Sequence, residues 1–115
     1  MKISFNKNEM TDFLNYIIEK ENNSLFSGYA EIDAYSDNYI KATVYDLDFS
    51  NTYKFNCRIQ EEGSVVVFTN LLCEGIKSIT DDEISLTVGS ADEDIILKSL
   101  NHEVKVKSTN LSSIL

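Results

Sequence analysis

Apolar residues recur along this chain with two different periods. Met10, Phe13, Leu14, Ile17 and Ile18 fall at the i, i+3, i+4, i+7, i+8 spacing of one helical face. Asn6 stands at the N-cap position, with Glu9 three residues on as the carboxylate of a capping box. Leu71, Leu72, Gly75, Ile76 and Ile79 mark a second helical face, with Thr69 as its cap. A glycine inside a helix costs up to about 1 kcal/mol relative to alanine. Gly75 therefore predicts a close packing approach, within the domain or at a partner. The period of two marks strands over residues 2–5, 29–34, 39–44, 53–57, 84–88, 95–98 and 104–107, and the apolar run 65–67 adds a short one. Asp37-Asn38 and Asp92-Glu93 read as hairpin turns, and residues 19–24 as a loop.

The order strand, helix, strand, strand, strand is written twice, over half-repeats of approximately 1–60 and 63–108. Sliding the sequence by 62 residues places Ile3 on Val65, Phe5 on Val67, Met10 on Leu72, Leu14 on Ile76 and Ile17 on Ile79. Each half has one amphipathic helix, and each helix must bury its apolar stripe on a sheet. These patterns predict an α+β domain in which two helices pack side by side on antiparallel sheet, related by a pseudo-two-fold axis.

Composition narrows the classes. With 115 residues the chain is the size of one domain, and 43% hydrophobic residues including six Tyr and six Phe supply a core. No apolar run approaches the roughly 18–20 residues of a membrane span, and residues 1–10 lack the apolar stretch of a signal peptide. The expectation is a soluble, cytoplasmic protein with no membrane partner. The net charge of −9 argues against a generic basic nucleic-acid binder, though not against a protein that meets DNA on one face. Cys57 and Cys73 sit in apolar settings and read as buried reduced thiols.

Little in the chain suggests catalysis. Asp46 and Asp48 lie two apart, as paired carboxylates for acid–base work or a metal do, but a solvated strand end is the simpler reading. Asp33 and Asp37 lack the spacing of a calcium loop. The runs at 81–83 and 92–94 read as polar turns, and His102, the only histidine, as a surface residue in a turn beside Glu103. We expect no enzyme, no metal and no cofactor.

Several segments, taken in order, resemble a known family. Residues 1–5, MKISF, precede a helix; Asp46-Leu47-Asp48-Phe49-Ser50 is similar to a "TDLEIS" segment; residues 63–67, 71–74 and 81–86 are similar to a "GSVVV…LLLEIVKKLPDDEISL" run. Together with Val104-Lys105-Val106 as a closing strand, these resemble the N-terminal domain of the bacterial DNA polymerase III beta subunit, the sliding clamp. The resemblance spans essentially the whole chain. It implies a non-catalytic processivity factor: a head-to-tail dimer of three-domain protomers that encircles duplex DNA, helices lining the hole and sheets outside, with DNA polymerase and the clamp loader as partners of the full-length protein. It also implies that the strand at 104–106 and the second helix form this domain's side of the dimer interface, which points to Leu71, Gly75, Val104 and Val106. Val104 and Val106 facing the domain's own core is the competing reading.

The departures from that pattern matter. The family's "TLPILSN" segment is replaced by residues 23–28, NSLFSG, without the proline. The loop after the first helix, which carries a DNA-facing basic residue in the family, is short, leaving Lys20 as the nearest candidate. Domains two and three are missing, so the chain is either an excised first domain or a single-domain relative. The clamp reading requires the helix face to be less acidic than the rest. Residues 6–20 sum to −1 and residues 69–79 to zero, leaving −8 elsewhere. Lys7, Lys20 and Lys77 are the DNA-facing candidates, too few for more than weak contact outside a ring. The alternative is a stand-alone acidic clamp-fold interaction protein, a DNA mimic or mobile-element factor, whose charge suits a basic partner. For the chain alone, a monomer or a weak dimer through the 104–107 edge is expected.

Overall fold

The computed structural model describes residues 1–21, 28–36, 38–45, 48–89 and 93–109. In chain order the elements are β1 (Lys2–Asn6), α1 (Lys7–Lys20), β2 (Tyr29–Ala34), β3 (Tyr39–Tyr45), β4 (Ser50–Asn56), β5 (Arg58–Glu61), β6 (Gly63–Phe68), α2 (Thr69–Lys77), β7 (Glu83–Thr87), β8 (Ile95–Lys98), β9 (Glu103–Val106) and β10 (Ser108–Thr109). They build two five-stranded antiparallel sheets, ordered β5-β1-β7-β8-β9 and β10-β6-β2-β3-β4. The first strand of each half is exchanged: β1 pairs with β7 of the second half, and β6 with β2 of the first. Each half then runs to its own edge strand among the described residues, β4 in one sheet and β9 in the other.

The ten positions matched by the 62-residue offset are all buried. A single apolar core joins them to the inward residues of both sheets, among them Ile32, Ile40, Leu86 and Leu97, with α1 packed against α2. The two helices side by side on antiparallel sheet are those expected from the sequence, and the strands divide into two sheets.

Local chemistry sets the helix ends. Asn6 Oδ1 accepts the N–H of Glu9 at 3.1 Å, the N-cap bond expected of it. The N–H of Lys7 donates to the Asp82 carbonyl at 2.7 Å, tying the start of α1 to the approach of β7. α2 starts differently. Its N-cap is Phe68, with no side-chain cap bond, and Thr69 is not the cap. Thr69 is instead buried, giving both its N–H (2.6 Å) and its hydroxyl (3.2 Å) to the carbonyl of Gly28 at the foot of β2. The hydroxyl is spent on the inter-element tie and is lost to the helix. α2 also ends earlier than the apolar pattern suggests, at Lys77, although Ile79 beyond it stays fully buried.

Two edge strands are additions to the expected set. β5 follows β4 after Cys57 alone, and β10 is a two-residue strand on β6. Cys57 is half-buried and Cys73 buried, both as free thiols, and burial pushes the Cys57 thiol up to about 11. The hairpin positions Asp37 and Asp92, Asp46, Leu47 and residues 22–27, which include most of the replaced loop segment, lie outside the described residues.

Candidate functional site

The residues singled out by the sequence fall on the two helices and at the edge of β9 beside α2. On the helices, Lys7 is half-buried in the first turn of α1, while Lys20 and Lys77 are exposed at the last positions of α1 and α2. Lys20 Nζ lies 5.5 Å from the centroid of the Tyr16 ring, a cation–π distance. Acidic Glu9, Asp12, Glu19 and Glu74 are exposed on the same two helices, so the three lysines stand among carboxylates. The helices meet near Cys73, whose thiol lies 3.6 Å from Asn15 Oδ1.

At the β9 edge the close approach predicted for Gly75 is internal. A Cβ there would fall 2.8 Å from Val106 Cγ2 and 3.1 Å from Leu97 Cδ1. Val106 is buried beneath the helix, and Val104 is half-buried against the same core. Of the four candidate interface residues, only Leu71 is a large exposed apolar side chain, at 44%. Among the described residues, the outer side of β9 is the edge of its sheet.

The remaining candidates scatter. Asp48 is exposed, Asp33 is half-buried on the outward face of β2, and His102 is exposed at the β8–β9 turn. Asp81 staples that turn: its Oδ2 accepts the Ser99 hydroxyl at 2.6 Å and the Asn101 N–H at 3.2 Å. Those bonds, Ser99 first, hold its carboxyl below the usual aspartate range. Among the described residues no three His, Cys, Asp or Glu side chains are grouped to hold a metal ion.

Sequence reasoning missed Glu21. It closes the C-terminus of α1 and is only 8% exposed. Its Oε1 accepts the Tyr53 hydroxyl at 2.7 Å and the Asn51 side-chain amide at 2.8 Å, both from β4. Burial and the neighbouring Glu21 push the Tyr53 phenol up to about 12. Glu21 sits in a polar run that reads as a loop, and only the distant Asn51-x-Tyr53 pair reveals what the carboxylate is for.

Two helices side by side on two exchanged sheets is an arrangement with solved counterparts. The DNA polymerase III beta subunit of Thermotoga maritima superposes with a TM-score of 0.80 at 12% identity, over 96% of this chain and 30% of that one. This is the fold of a sliding-clamp domain. The Helicobacter pylori beta clamp bound to a DNA ligase peptide matches at 0.76 and 18% identity, over 100% of this chain and 32% of that one. The Bartonella birtlesii sliding clamp matches at 0.74 and 21%, over 97% and 32%. The clamp-like domain thus spans about a third of the length of these proteins. No protein-family model matches it, and no curated protein matches it in sequence. In the described residues no helix is long and apolar enough to cross a membrane.

Proposed function

We propose that the chain works as one wall segment of a DNA-encircling clamp, a non-catalytic processivity factor that tethers a replicative polymerase to duplex DNA. The observation that carries this reading is the helix pair, side by side over two sheets in the clamp-domain arrangement, with the sheets continuing to edge strands among the described residues. In this reading Lys7, Lys20 and Lys77 face the duplex. The edge of β9, with Leu71 exposed and Val104 half-buried beside it and Gly75 and Val106 shaping it from within, meets a neighbouring domain. Duplex DNA, the polymerase and the clamp loader are its partners, and enclosure supplies the hold that three lysines do not.

The charge of −9 favours a second reading, in which the domain is an acidic interaction protein that occupies a basic DNA-binding surface. Retention on DNA separates the two. A clamp assembly stays on a closed circular plasmid through a high-salt wash and is lost when the plasmid is linearised. A DNA mimic stays on neither, and instead releases a basic protein from DNA. Equal retention on circular and linear DNA would rule out tethering by enclosure.

A further inference from the structure

The outward faces of the two sheets occupy equivalent positions about the internal two-fold, yet they differ in chemistry. By the 62-residue offset, Lys2, Ser4 and Asn6 of β1 correspond to Ser64, Val66 and Phe68 of β6. The β1 face is therefore polar where the β6 face is apolar, and the fold itself does not demand the apolar residues. On β6 the inward residues Val65 and Val67 belong to the core, which leaves Val66 and Phe68 pointing out. Phe68 stacks on Tyr29 of β2 with ring centroids 3.8 Å apart. Val66 stands opposite Glu31 and is only 8% exposed despite its outward position.

Glu31 and Asp33 lie two apart on the same face of β2, so their carboxylates are neighbours. Tyr45 donates its hydroxyl to Glu31 Oε2 at 3.4 Å. Burial first, then Asp33, raises the Glu31 carboxyl above its ordinary range. Lys41 stands in register with Asp33 and lines the hollow beyond it, and Lys54 stands in register with Lys41 but is drawn over the Tyr39 ring at 5.2 Å; neither lysine forms an ion pair within 4.0 Å of the two carboxylates. Among the described residues the one ion pair within 4.0 Å is Lys98–Glu103, on the other sheet. The face continues past Asp33 into an open hollow of about 410 Å³ between Tyr35 and Tyr39.

We propose that this face, centred on Glu31 between the Tyr29–Phe68 stack and Asp33, docks an extended, arginine-bearing segment of another protein. A guanidinium is planar, stacks on aromatic rings and takes a carboxylate through two parallel hydrogen bonds; an ammonium does only part of this. Alternate residues of an extended segment repeat every ~6.6–6.8 Å, the spacing of Tyr29, Glu31 and Asp33 along β2. An apolar residue over Tyr29 and Phe68 therefore places an arginine two residues on at the carboxylates. Nucleic acid and anionic lipid are repelled by the same pair, which leaves a protein segment as the occupant. The face is separate from the helices and the β9 edge, so the proposal stands apart from the clamp reading.

The test is a titration of the isotope-labelled 115-residue chain with a blocked Ile-Arg-Ile-Arg-Gly peptide and its lysine counterpart, followed by amide chemical shifts. Shifts on β2, β3 and β6 should saturate, with the lysine peptide weaker. Glu31→Gln should bind the arginine peptide about tenfold more weakly, as expected when a charge-assisted bond becomes neutral. Tyr29→Leu keeps an apolar side chain and removes the stacking ring; it should bind about fourfold more weakly. Equal affinity for wild type and Glu31→Gln would overturn the proposal. So would shifts centred on the helices or the β1 sheet, or the absence of saturation at millimolar peptide.

Discussion

Phe13 and Gly75 occupy the same position in the two halves of the chain, 62 residues apart, and the two helix–edge seams they build are opposites. Between α1 and β4, Phe13 packs on Phe55 with ring centroids 4.9 Å apart, and Tyr16 meets Tyr53 edge-on at 6.0 Å. Between α2 and β9 there is no ring at all. The missing Cβ of Gly75 lets the helix backbone lie directly over Val106 and Val104. One backbone plan thus accepts two fillings, a wide seam propped by aromatic bulk and a close seam made by removing a carbon. The wide seam also has space for a polar group at its end, where Glu21 is held by Tyr53 and Asn51. An internal repeat fixes which positions are equivalent without fixing how much volume each must supply.

The sharpest way to break the comparison is to write the first half's residue into the second. Gly75→Phe should destabilise the domain by more than about 3 kcal/mol, since even one added carbon already overlaps Val106 and overpacking alone costs about 1–3 kcal/mol. Urea unfolding that leaves the midpoint unchanged would show that the seam is not close. The reverse change is milder. Phe13→Ala empties a half-buried site and should cost about 2 kcal/mol, below the range for a fully buried phenylalanine. Tyr53→Phe keeps the ring packing and removes one of two donors to Glu21; about 1.5 kcal/mol is expected, the worth of a hydrogen bond to a charged group. Asn51→Ala in the same background should then cost more than it does alone, because only the double change takes both β4 donors from the carboxylate.

The smallest effect concerns pH at the turn beside the close seam. The folded-state value of Asp81 lies below its unfolded value. Its contribution to stability is therefore present above the unfolded aspartate range and is lost as pH falls through the folded value. The acid limb of a stability–pH profile should be slightly steeper for wild type than for Asp81→Asn. Superimposable acid limbs would mean that the Ser99 and Asn101 bonds do not favour the ionised form.

Much of this architecture was legible in the chain because burial wrote it there. The apolar faces of both helices, Met10 to Ile17 and Leu72 to Ile79, and the alternation of residues 29–34 and 39–44 follow directly from which side chains meet the core. The edges were less legible. Arg58-Ile59-Gln60-Glu61 buries little, and Ser108-Thr109 is too short to show a period, so β5 and β10 leave almost no pattern. Thr69 looks like a cap because threonine caps helices, but a tie to Gly28 two elements away takes its hydroxyl. For Gly75 the sequence predicted closeness but left its neighbour open; the neighbour is Val106. The candidate surfaces were legible as a list of lysines and edge residues, while the outward row of Tyr29, Phe68 and Val66 was not, because alternation reports which residues face in and says nothing of what an outward apolar residue awaits.

The exchange of first strands has a consequence for how the chain reaches this state. Lys2 pairs with Thr87 and Asn6 with Glu83, so β1 closes a loop of roughly 80 residues, an entropic cost that local helix formation does not offset. Folding dominated by such distant pairings is slow, on the scale of milliseconds to seconds. Until β7 forms, β1 can be paired on one side only, by β5. In concentrated refolding, the β7 it meets can belong to a second molecule, and two chains that trade halves bury the same contacts as one chain folded on itself. A half-exchanged dimer is thus the natural misstep of this topology, and dilution during refolding is its remedy.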